Sequence, residues 1–219
     1  MTLRLGFVAG VTPTKWMRIW SERHPDLALE VFRTDEAEQL EPLRDGRADI
    51  AFVRLPIDSD GFSVIPLYRE VPVVVVPEDH AIAAADAITL AELDGEERVT
   101  GTDLSMAMEL VAAGVGVIVV PHSIARLHHR KDLTSRPVTD AEQTQIALVW
   151  LADRTTDGVE EFVGIVRGRT AHSSRTSPTP SSKPEKRAAA KAAAKGRDRK
   201  PARGGGGSAS SNRARRGKR

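Results

Sequence analysis

The chain has 219 residues, 40% of them apolar, and a formal net charge of +2. That charge is unevenly distributed: residues 172–219 carry fifteen Lys and Arg against two acidic residues, which leaves residues 1–171 with a net charge of −11. The absence of cysteine excludes disulfides, thiolate metal sites and a cysteine nucleophile. No apolar run is long enough to cross a bilayer and the first residues do not form a signal-peptide pattern, so we expect a cytoplasmic protein without a membrane partner.

In chain order, short apolar segments alternate with amphipathic ones. Thr12-Pro13 predicts a helix N-cap followed by proline at the first helical position, and the helix that carries Trp16, Ile19 and Trp20 should end near His24-Pro25. The two tryptophans at helical spacing indicate core packing. The predicted strands are residues 3–9, 27–32, 49–54, 71–76, 115–120 and 145–151.

The later helices are predicted from their capping residues. Asp35 and Glu38 resemble a capping box, although Pro42 must kink that helix or delay its start. Further helices are expected over residues 103–113 and 157–169. The two valine-rich runs, 71–76 and 115–120, are typical of central strands covered on both faces, so the pattern predicts a mostly parallel α/β sheet.

Several sequence stretches occur in the order found in one known family. Residues 1–171 resemble the effector-binding (substrate-binding) domain of LysR-type transcriptional regulators, which shares its fold with type 2 periplasmic binding proteins. The matching stretches are residues 3–7, 43–54, 66–70, 75–80, 109–117 and 119–121.

The resemblance implies an α/β domain of two lobes with a small-molecule cleft between them. Lobe I would comprise residues 1–71 and 146–171, and lobe II residues 72–145, followed by a disordered basic tail at 172–219. The stretch between Leu93 and Val111 is shorter than in the family, so we expect lobe II to have lost a helix and a strand. The sequence starts at the first strand of the domain, so we expect the winged helix-turn-helix of the family to be missing.

A ligand in such a cleft lies beyond the carboxyl ends of parallel strands, where helix N-termini attract anions. The predicted ligand-binding residues, for a small organic acid as effector, are Thr12, Thr14, Lys15, Arg54, Thr100 and Thr102. Each has an alternative: Thr12 as a helix cap alone, Lys15 as a solvated side chain, and Arg54 as the partner of a nearby carboxylate. For residues 100–102 a tight turn is favoured.

Other chemistries lack a complete set of residues. His122, His128 and His129 do not form a metal-ligand spacing, and Ser123 beside His122 has no Gly-x-Ser-x-Gly motif. Nucleotide-binding loops are missing as well. We therefore expect no metal, no cofactor and no enzyme activity.

The tail resembles the alanine-lysine tails of linker-histone-like bacterial nucleoid proteins. It predicts sequence-indifferent binding to nucleic acid, because phosphate contacts supply affinity without reading bases. The alternatives are a solubilising segment, an expression scar, or docking on the acidic body. The residues expected to contact phosphates are Lys186, Arg187, Lys191, Lys195, Arg197, Arg199, Lys200, Arg203, Arg213, Arg215, Arg216, Lys218 and Arg219.

Three functions remain open at this point. The first is an effector-binding regulatory module in transcription, and the second a nucleoid-associated structural protein with a degenerate ligand-binding body. A small-ligand carrier or enzyme on the same fold is the third. A homodimer is implied by the resemblance alone.

Overall fold

The computed structural model describes residues 2–101 and 103–169, so the predictions for Thr102 and for the tail fall outside the described residues. None of the described helices is long and apolar enough to cross a membrane. The strands are β1 (Thr2–Val8), β2 (Ala28–Thr34), β3 (Ile50–Leu55), β4 (Phe62–Glu70), β5 (Pro72–Pro77), β6 (Ile118–Pro121), β7 (Leu133–Pro137) and β8 (Thr144–Leu151). The helices are α1 (Thr14–Arg23), α2 (Glu41–Arg44), α3 (Leu104–Ala112), α4 (His122–Leu127) and α5 (Asp157–Val166).

The strands form two sheets. The first has the order β2-β1-β3-β8-β4 and, with α1, α2 and α5, makes up lobe I; the second has the order β6-β5-β7 and, with α3 and α4, makes up lobe II. This confirms the predicted two-lobed α/β architecture with a small second lobe. Among the described strands, β1 pairs parallel with β2 and β3, whereas β8 pairs antiparallel with β3 and β4, and β5 pairs antiparallel with β6 and β7. The expectation of a mostly parallel sheet was therefore wrong.

Lobe I is covered on both faces because alternate residues of its central strands are apolar on either side. On β3, Ile50 and Phe52 pack against α1 and α5, while Ala51 and Val53 pack against the segment that contains α2. Trp16 stacks on Phe52 with ring centroids 4.8 Å apart, and Trp20 is buried in the same cluster. The prediction that these tryptophans belong to the core is confirmed.

In lobe II, the central strand β5 is also covered by apolar side chains on both faces. Val73 and Val75 belong to one apolar cluster, and Val74 and Val76 belong to the other. The first valine run is therefore a central strand, as predicted. The second run ends in β6 at the edge of the sheet, so the prediction that residues 115–120 form a central strand was wrong.

Capping residues and prolines explain the other differences between the predicted and the observed helices and strands. Pro13, not Thr12, is the N-cap of α1, and no side chain donates or accepts a capping hydrogen bond there. The Asp35 segment forms only a 3-10 turn at Glu36–Glu38, since Pro42 lies in the first turn of the short α2. β4 escaped prediction because Pro66 interrupts its pattern, and proline is tolerated on this edge strand next to a bulge.

The chain passes between the lobes at two places, between β4 and β5 and between β7 and β8. Glu70, the last residue of β4, is 5% exposed and lies at the first of these crossings. Its carboxylate accepts hydrogen bonds from Arg54 of lobe I (Nε to Oε2, 2.7 Å), from Thr144 at the start of β8 (3.0 Å) and from the hydroxyl of Ser123 in lobe II. One carboxylate thus connects both lobes and the second crossing.

Arg54 is 3% exposed, and its guanidinium donates hydrogen bonds to three residues. Besides Glu70, it donates to Glu36 and, through Nη2, to the carbonyl oxygen of Ala9 at 2.9 Å. Burial lowers the pKa of Arg54, but its bonds to Glu70 and the two negative charges outweigh burial and raise that pKa. Burial raises the pKa of Glu70, and the bonds from Arg54, Ser123 and Thr144 outweigh it, so the net pKa lies below the ordinary 4.5.

The lobes also touch where strand β1 ends. Gly10 has a φ of +86°, and a Cβ at that position would clash with the Ser123 hydroxyl. Glycine is therefore required there for two reasons, the left-handed backbone and the close approach of α4. Gly10 and Ser123 thus lie side by side, one from each lobe, and both line the same cavity between the lobes.

Replacing Glu70 by Gln should destabilise the protein by about 3–5 kcal/mol at pH 7, because a buried guanidinium loses its counter-charge. Since the folded-state pKa of Glu70 is depressed, wild type has this stabilisation above pH 4.5 and loses it as pH falls through the folded-state pKa. Urea unfolding between pH 7 and pH 3 measures the difference, which should shrink below pH 4.5. The exposed Glu142→Gln is the control, and equal destabilisation by both changes contradicts the expected role of Glu70.

Candidate ligand-binding cleft

Two adjoining cavities lie between the lobes, and Ala9 and Arg33 line both of them. The smaller, here called the basic cavity, has a volume of about 440 Å³. Its lobe I wall is Phe7, Ala9, Gly10, Val11, Thr12 and Arg33, and its lobe II wall is Ser123, Arg126 and Leu127.

The basic cavity contains one arginine from each lobe. Arg33 lies near the end of β2 and Arg126 on α4, and both side chains are exposed. Within residues 2–101 and 103–169, neither guanidinium takes part in a hydrogen bond or an ion pair. Two unpaired positive charges on opposite walls favour an anion between them. Thr12 adds a hydroxyl group to the same space.

The larger cavity, here called the acidic cavity, has a volume of about 830 Å³. Asp35, Glu36 and Glu38, from the 3-10 turn after β2, line it on the lobe I side, and Asp103 lines it on the lobe II side. Its remaining lining residues are Ala9, Arg33, Thr34, Ala37, Gly101, Leu104, Ser105 and His128. The cleft therefore carries opposite charges in its two parts.

Two polar atoms beside the acidic cavity lack partners. Thr34 Oγ1 in lobe I and His128 Nε2 in lobe II are both buried and make no hydrogen bond within the described part of the chain. A buried polar atom without a partner costs about 1–3 kcal/mol. Two residues that line the acidic cavity, one from each lobe, thus each contain such an atom.

The predicted site residues are distributed unevenly. Thr12 lines the basic cavity, whereas Thr14, Lys15 and Thr100 are exposed and are not among the residues that line the two cavities. Thr102 lies outside the described residues, between the lining residues Gly101 and Asp103. Of the predicted ligand-binding residues within 2–101 and 103–169, the two cavities thus contain only Thr12.

Arg54 is placed behind the cleft wall. It pairs with Glu70 and Glu36, the alternative that the sequence left open. Its bond to the Ala9 carbonyl fixes a residue that lines both cavities. Direct ligand contact by Arg54 stays a prediction.

Sequence reasoning missed Arg33 and Arg126. Arg33 could have been found, since it lies near the carboxyl end of a parallel strand, the same position that drew attention to Arg54. Arg126 had no such signal, because the neighbouring His122, Ser123 and His128 suggested only metal-binding or acyl-transfer chemistry. In the described ranges, no group of three His, Asp or Glu side chains is arranged to hold a metal ion.

Comparison with known proteins identifies the family. Residues 1–103 and 97–171 match the LysR substrate binding domain. The two matches overlap at residues 97–103, within the stretch that is short in this sequence. Such a break agrees with the reduced second lobe.

Two relatives and one solved structure illustrate the similarity. The Hca operon transcriptional activator HcaR of Escherichia coli K12 is 24% identical over 202 residues, covering 77% of this chain and 68% of HcaR. A probable hydrogen peroxide-inducible genes activator of Streptomyces viridosporus is 28% identical over 180 residues, covering 67% of this chain and 58% of that protein. The chain thus spans roughly three fifths to two thirds of these relatives.

The solved structure is the BenM effector binding domain with its effector benzoate. It superposes with a TM-score of 0.65 at 21% identity, covering 76% of this chain and 90% of that chain, which supports the fold. The relatives are transcriptional regulators and not enzymes. The chain belongs to the LysR substrate-binding domain family.

Proposed function

We propose that this chain is a cytoplasmic regulatory module that binds a small organic acid and acts in transcription regulation. The observation that carries the proposal is the basic cavity, where Arg33 of lobe I and Arg126 of lobe II have no partner in the part of the chain described. Charges left free on both walls of a cleft suit a ligand that neutralises them together. The benzoate bound by the BenM domain is a carboxylate, which supports this class of effector.

In the proposed complex the carboxylate lies between the two guanidinium groups. Charge-assisted bonds from Arg33 and Arg126 hold its oxygens, and the Thr12 hydroxyl donates from the start of α1. Each arginine belongs to a different lobe, so the bound acid links the lobes. The ligand would therefore favour one arrangement of the lobes over others, and this shift in population is the proposed regulatory signal.

The remaining predicted ligand-binding residues are not assigned direct contacts with the carboxylate in this proposal. Thr14 and Lys15 lie in the first turn of α1, beyond Thr12, and Thr100 and Thr102 stay predicted ligand contacts from their place in the sequence beside Gly101 and Asp103. Arg54 contributes through its bond to the Ala9 carbonyl and its pairing with Glu70. No cofactor or metal is part of the proposal.

Replacing Arg33 or Arg126 by Gln should weaken binding of a carboxylate by about 10- to 150-fold, which corresponds to the loss of one charge-assisted bond of about 1.5–3 kcal/mol. A thermal-shift screen with benzoate, 3-phenylpropanoate, succinate and 2-oxoglutarate identifies the acid, and calorimetry gives its affinity. A ligand at a hundredfold its Kd should stabilise the protein by about 2.7 kcal/mol.

The matched controls are Arg69→Gln in lobe I and Lys131→Gln in lobe II, both exposed and neither of them among the residues that line the two cavities. They should leave the affinity unchanged. Binding that survives loss of both Arg33 and Arg126 removes the basic cavity as the site, and a screen without any stabilising acid removes the proposed effector function.

We further propose that the tail binds nucleic acid without reading its sequence. The support is compositional: fifteen basic residues against two acidic ones, attached to a body with a net charge of −11. Lys and Arg release counterions when they contact phosphates, which gives affinity independent of base sequence. This contact is also the basis of the alternative function, a nucleoid-associated protein whose body no longer binds a ligand.

If about six tail residues contact phosphates, the log–log salt slope on duplex DNA should be near −5, a loss on the order of a thousandfold between 50 and 200 mM salt. Titrating a labelled random duplex measures it, and a variant that ends at residue 171 should not bind. DNA binding by that shortened variant, or a strong preference of the full chain for one sequence, contradicts the proposed role of the tail. DNA binding by a protein that none of the screened acids stabilises favours the nucleoid alternative.

We also propose that the protein forms a homodimer. β2 is an edge strand of the lobe I sheet, and α3 of lobe II exposes Met106 and Leu110 one helical turn apart. Exposed apolar side chains that lie together on one helix face are a common association surface. No partner chain is required by the cores of the two lobes.

Replacing Leu110 by Glu should shift the protein towards monomer in sedimentation velocity, because a buried charge in the interface costs several kcal/mol. Tyr68→Glu on β4, the opposite edge of the lobe I sheet, is the control and should leave the mass unchanged. A dimer that tolerates Leu110→Glu, or a protein that is monomeric throughout, contradicts this interface.

A further inference from the structure

The two parts of the cleft differ in charge in a way that a simple acid does not explain. The basic cavity holds two arginines without a partner in the described part of the chain, whereas the acidic cavity holds four carboxylates, and the two cavities share Ala9 and Arg33. An anion that extended into the acidic cavity would be repelled there. A ligand that fills both parts needs a negative group at one end and a positive group at the other.

Not all of the four carboxylates are available. Glu36 is bonded to Arg54, and Asp103 Oδ1 accepts from the backbone N–H of Met106 at 3.1 Å as the N-cap of α3. The side chains of Asp35 and Glu38 make no hydrogen bond or ion pair within residues 2–101 and 103–169. Two negative charges on the lobe I wall are therefore free to pair with a cation.

The two unsatisfied atoms beside the acidic cavity are compatible with such a ligand. Thr34 Oγ1 and His128 Nε2 are buried, belong to residues on opposite walls and have no hydrogen-bond partner among residues 2–101 and 103–169. A hydroxyl group donates and accepts, and an imidazole nitrogen does one or the other, so these atoms alone do not distinguish an ammonium group from a carboxylate. The free carboxylates of Asp35 and Glu38 favour the ammonium group.

Taking these observations together, we infer that the effector is a zwitterion of the amino-acid class, with its carboxylate between Arg33 and Arg126 and its ammonium group in the acidic cavity near Asp35 and Glu38. The combined volume of about 440 and 830 Å³ leaves room for a side chain as well as the two charged groups. This inference rests on the proposed function, since it names the class of ligand for the same cleft.

The test compares each amino acid with two analogues that lack one charge. The full-length protein is screened by thermal shift and calorimetry against the twenty common L-amino acids, their desamino carboxylates and their decarboxylated amines. L-phenylalanine, 3-phenylpropanoate and 2-phenylethylamine are one such set. At least one amino acid should bind tenfold or more tightly than both of its analogues.

Two variants assign the ammonium site. The double change Asp35→Asn with Glu38→Gln should weaken the amino acid at least tenfold and leave the desamino carboxylate unchanged or tighter, because repulsion is removed. Glu142→Gln, an exposed carboxylate on lobe II, is the control and should change neither. Arg126→Gln should weaken both compounds.

The outcomes separate the two claims. Carboxylates that bind as well as or better than their amino acids overturn the zwitterion inference and leave the effector proposal intact. Amines that bind as tightly as amino acids also overturn it. If no amino acid, carboxylate or amine binds, the effector function itself fails and the inference fails with it. An amino acid that binds but ignores loss of Asp35 and Glu38 overturns the placement of the ammonium group.

Discussion

The buried ion pair between Arg54 and Glu70 is the interaction on which the rest of the cleft depends. Both residues are almost fully inaccessible, and Glu70 lies where the chain first leaves lobe I. Taking two charges out of water costs several kcal/mol per ion, which only good geometry and additional hydrogen bonds can offset. Here those bonds come from Ser123 in lobe II and Thr144 at the second crossing. The pair therefore stabilises a particular arrangement of the lobes rather than one lobe alone.

This arrangement determines which charges are left for a ligand. Because Arg54 is held by Glu70 and Glu36, its positive charge is neutralised behind the cavity wall. Of the cavity-lining arginines, Arg33 and Arg126 have no partner among residues 2–101 and 103–169. Glu36 is paired with Arg54, whereas Asp35 and Glu38 in the neighbouring cavity have no side-chain partner within the same residues. The proposed division of the cleft into an anion-binding part and a cation-binding part rests on these charges. Gly10 permits this division, since any side chain there would displace Ser123.

Much of the fold was predictable because apolar patterning reports burial directly. The run at residues 71–76 indicated a central strand, and the periodicity of α5 with Phe162 and Val163 indicated a helix on the core. The antiparallel pairing of β5 with β6 and β7 was not predictable, since a strand covered on both faces is continuously apolar in either direction. β7, with the sequence Leu-Thr-Ser-Arg-Pro, lacks an apolar pattern and forms only by pairing with β5.

The candidate site was less accessible to sequence reasoning. The position of a residue after a strand drew attention to Arg54, yet the same rule applies to Arg33, and only the three-dimensional partners distinguish a paired guanidinium from an unpaired one. Arg126 comes from a helix in the other lobe, so its approach to Arg33 depends on how the lobes are joined. Thr12 was identified for its place before α1, although its expected capping bond is not made.

The most direct test of this account measures the distance between the lobes. The chain has no cysteine, so spin labels can be attached at Arg18→Cys on α1 and Lys131→Cys after α4 without removing native thiols. With Glu70 intact, double electron–electron resonance should give one narrow distance distribution; with Glu70→Gln in a folded protein, the distribution should broaden or shift. Identical narrow distributions in both proteins would show that the Arg54–Glu70 pair does not hold the lobes in place.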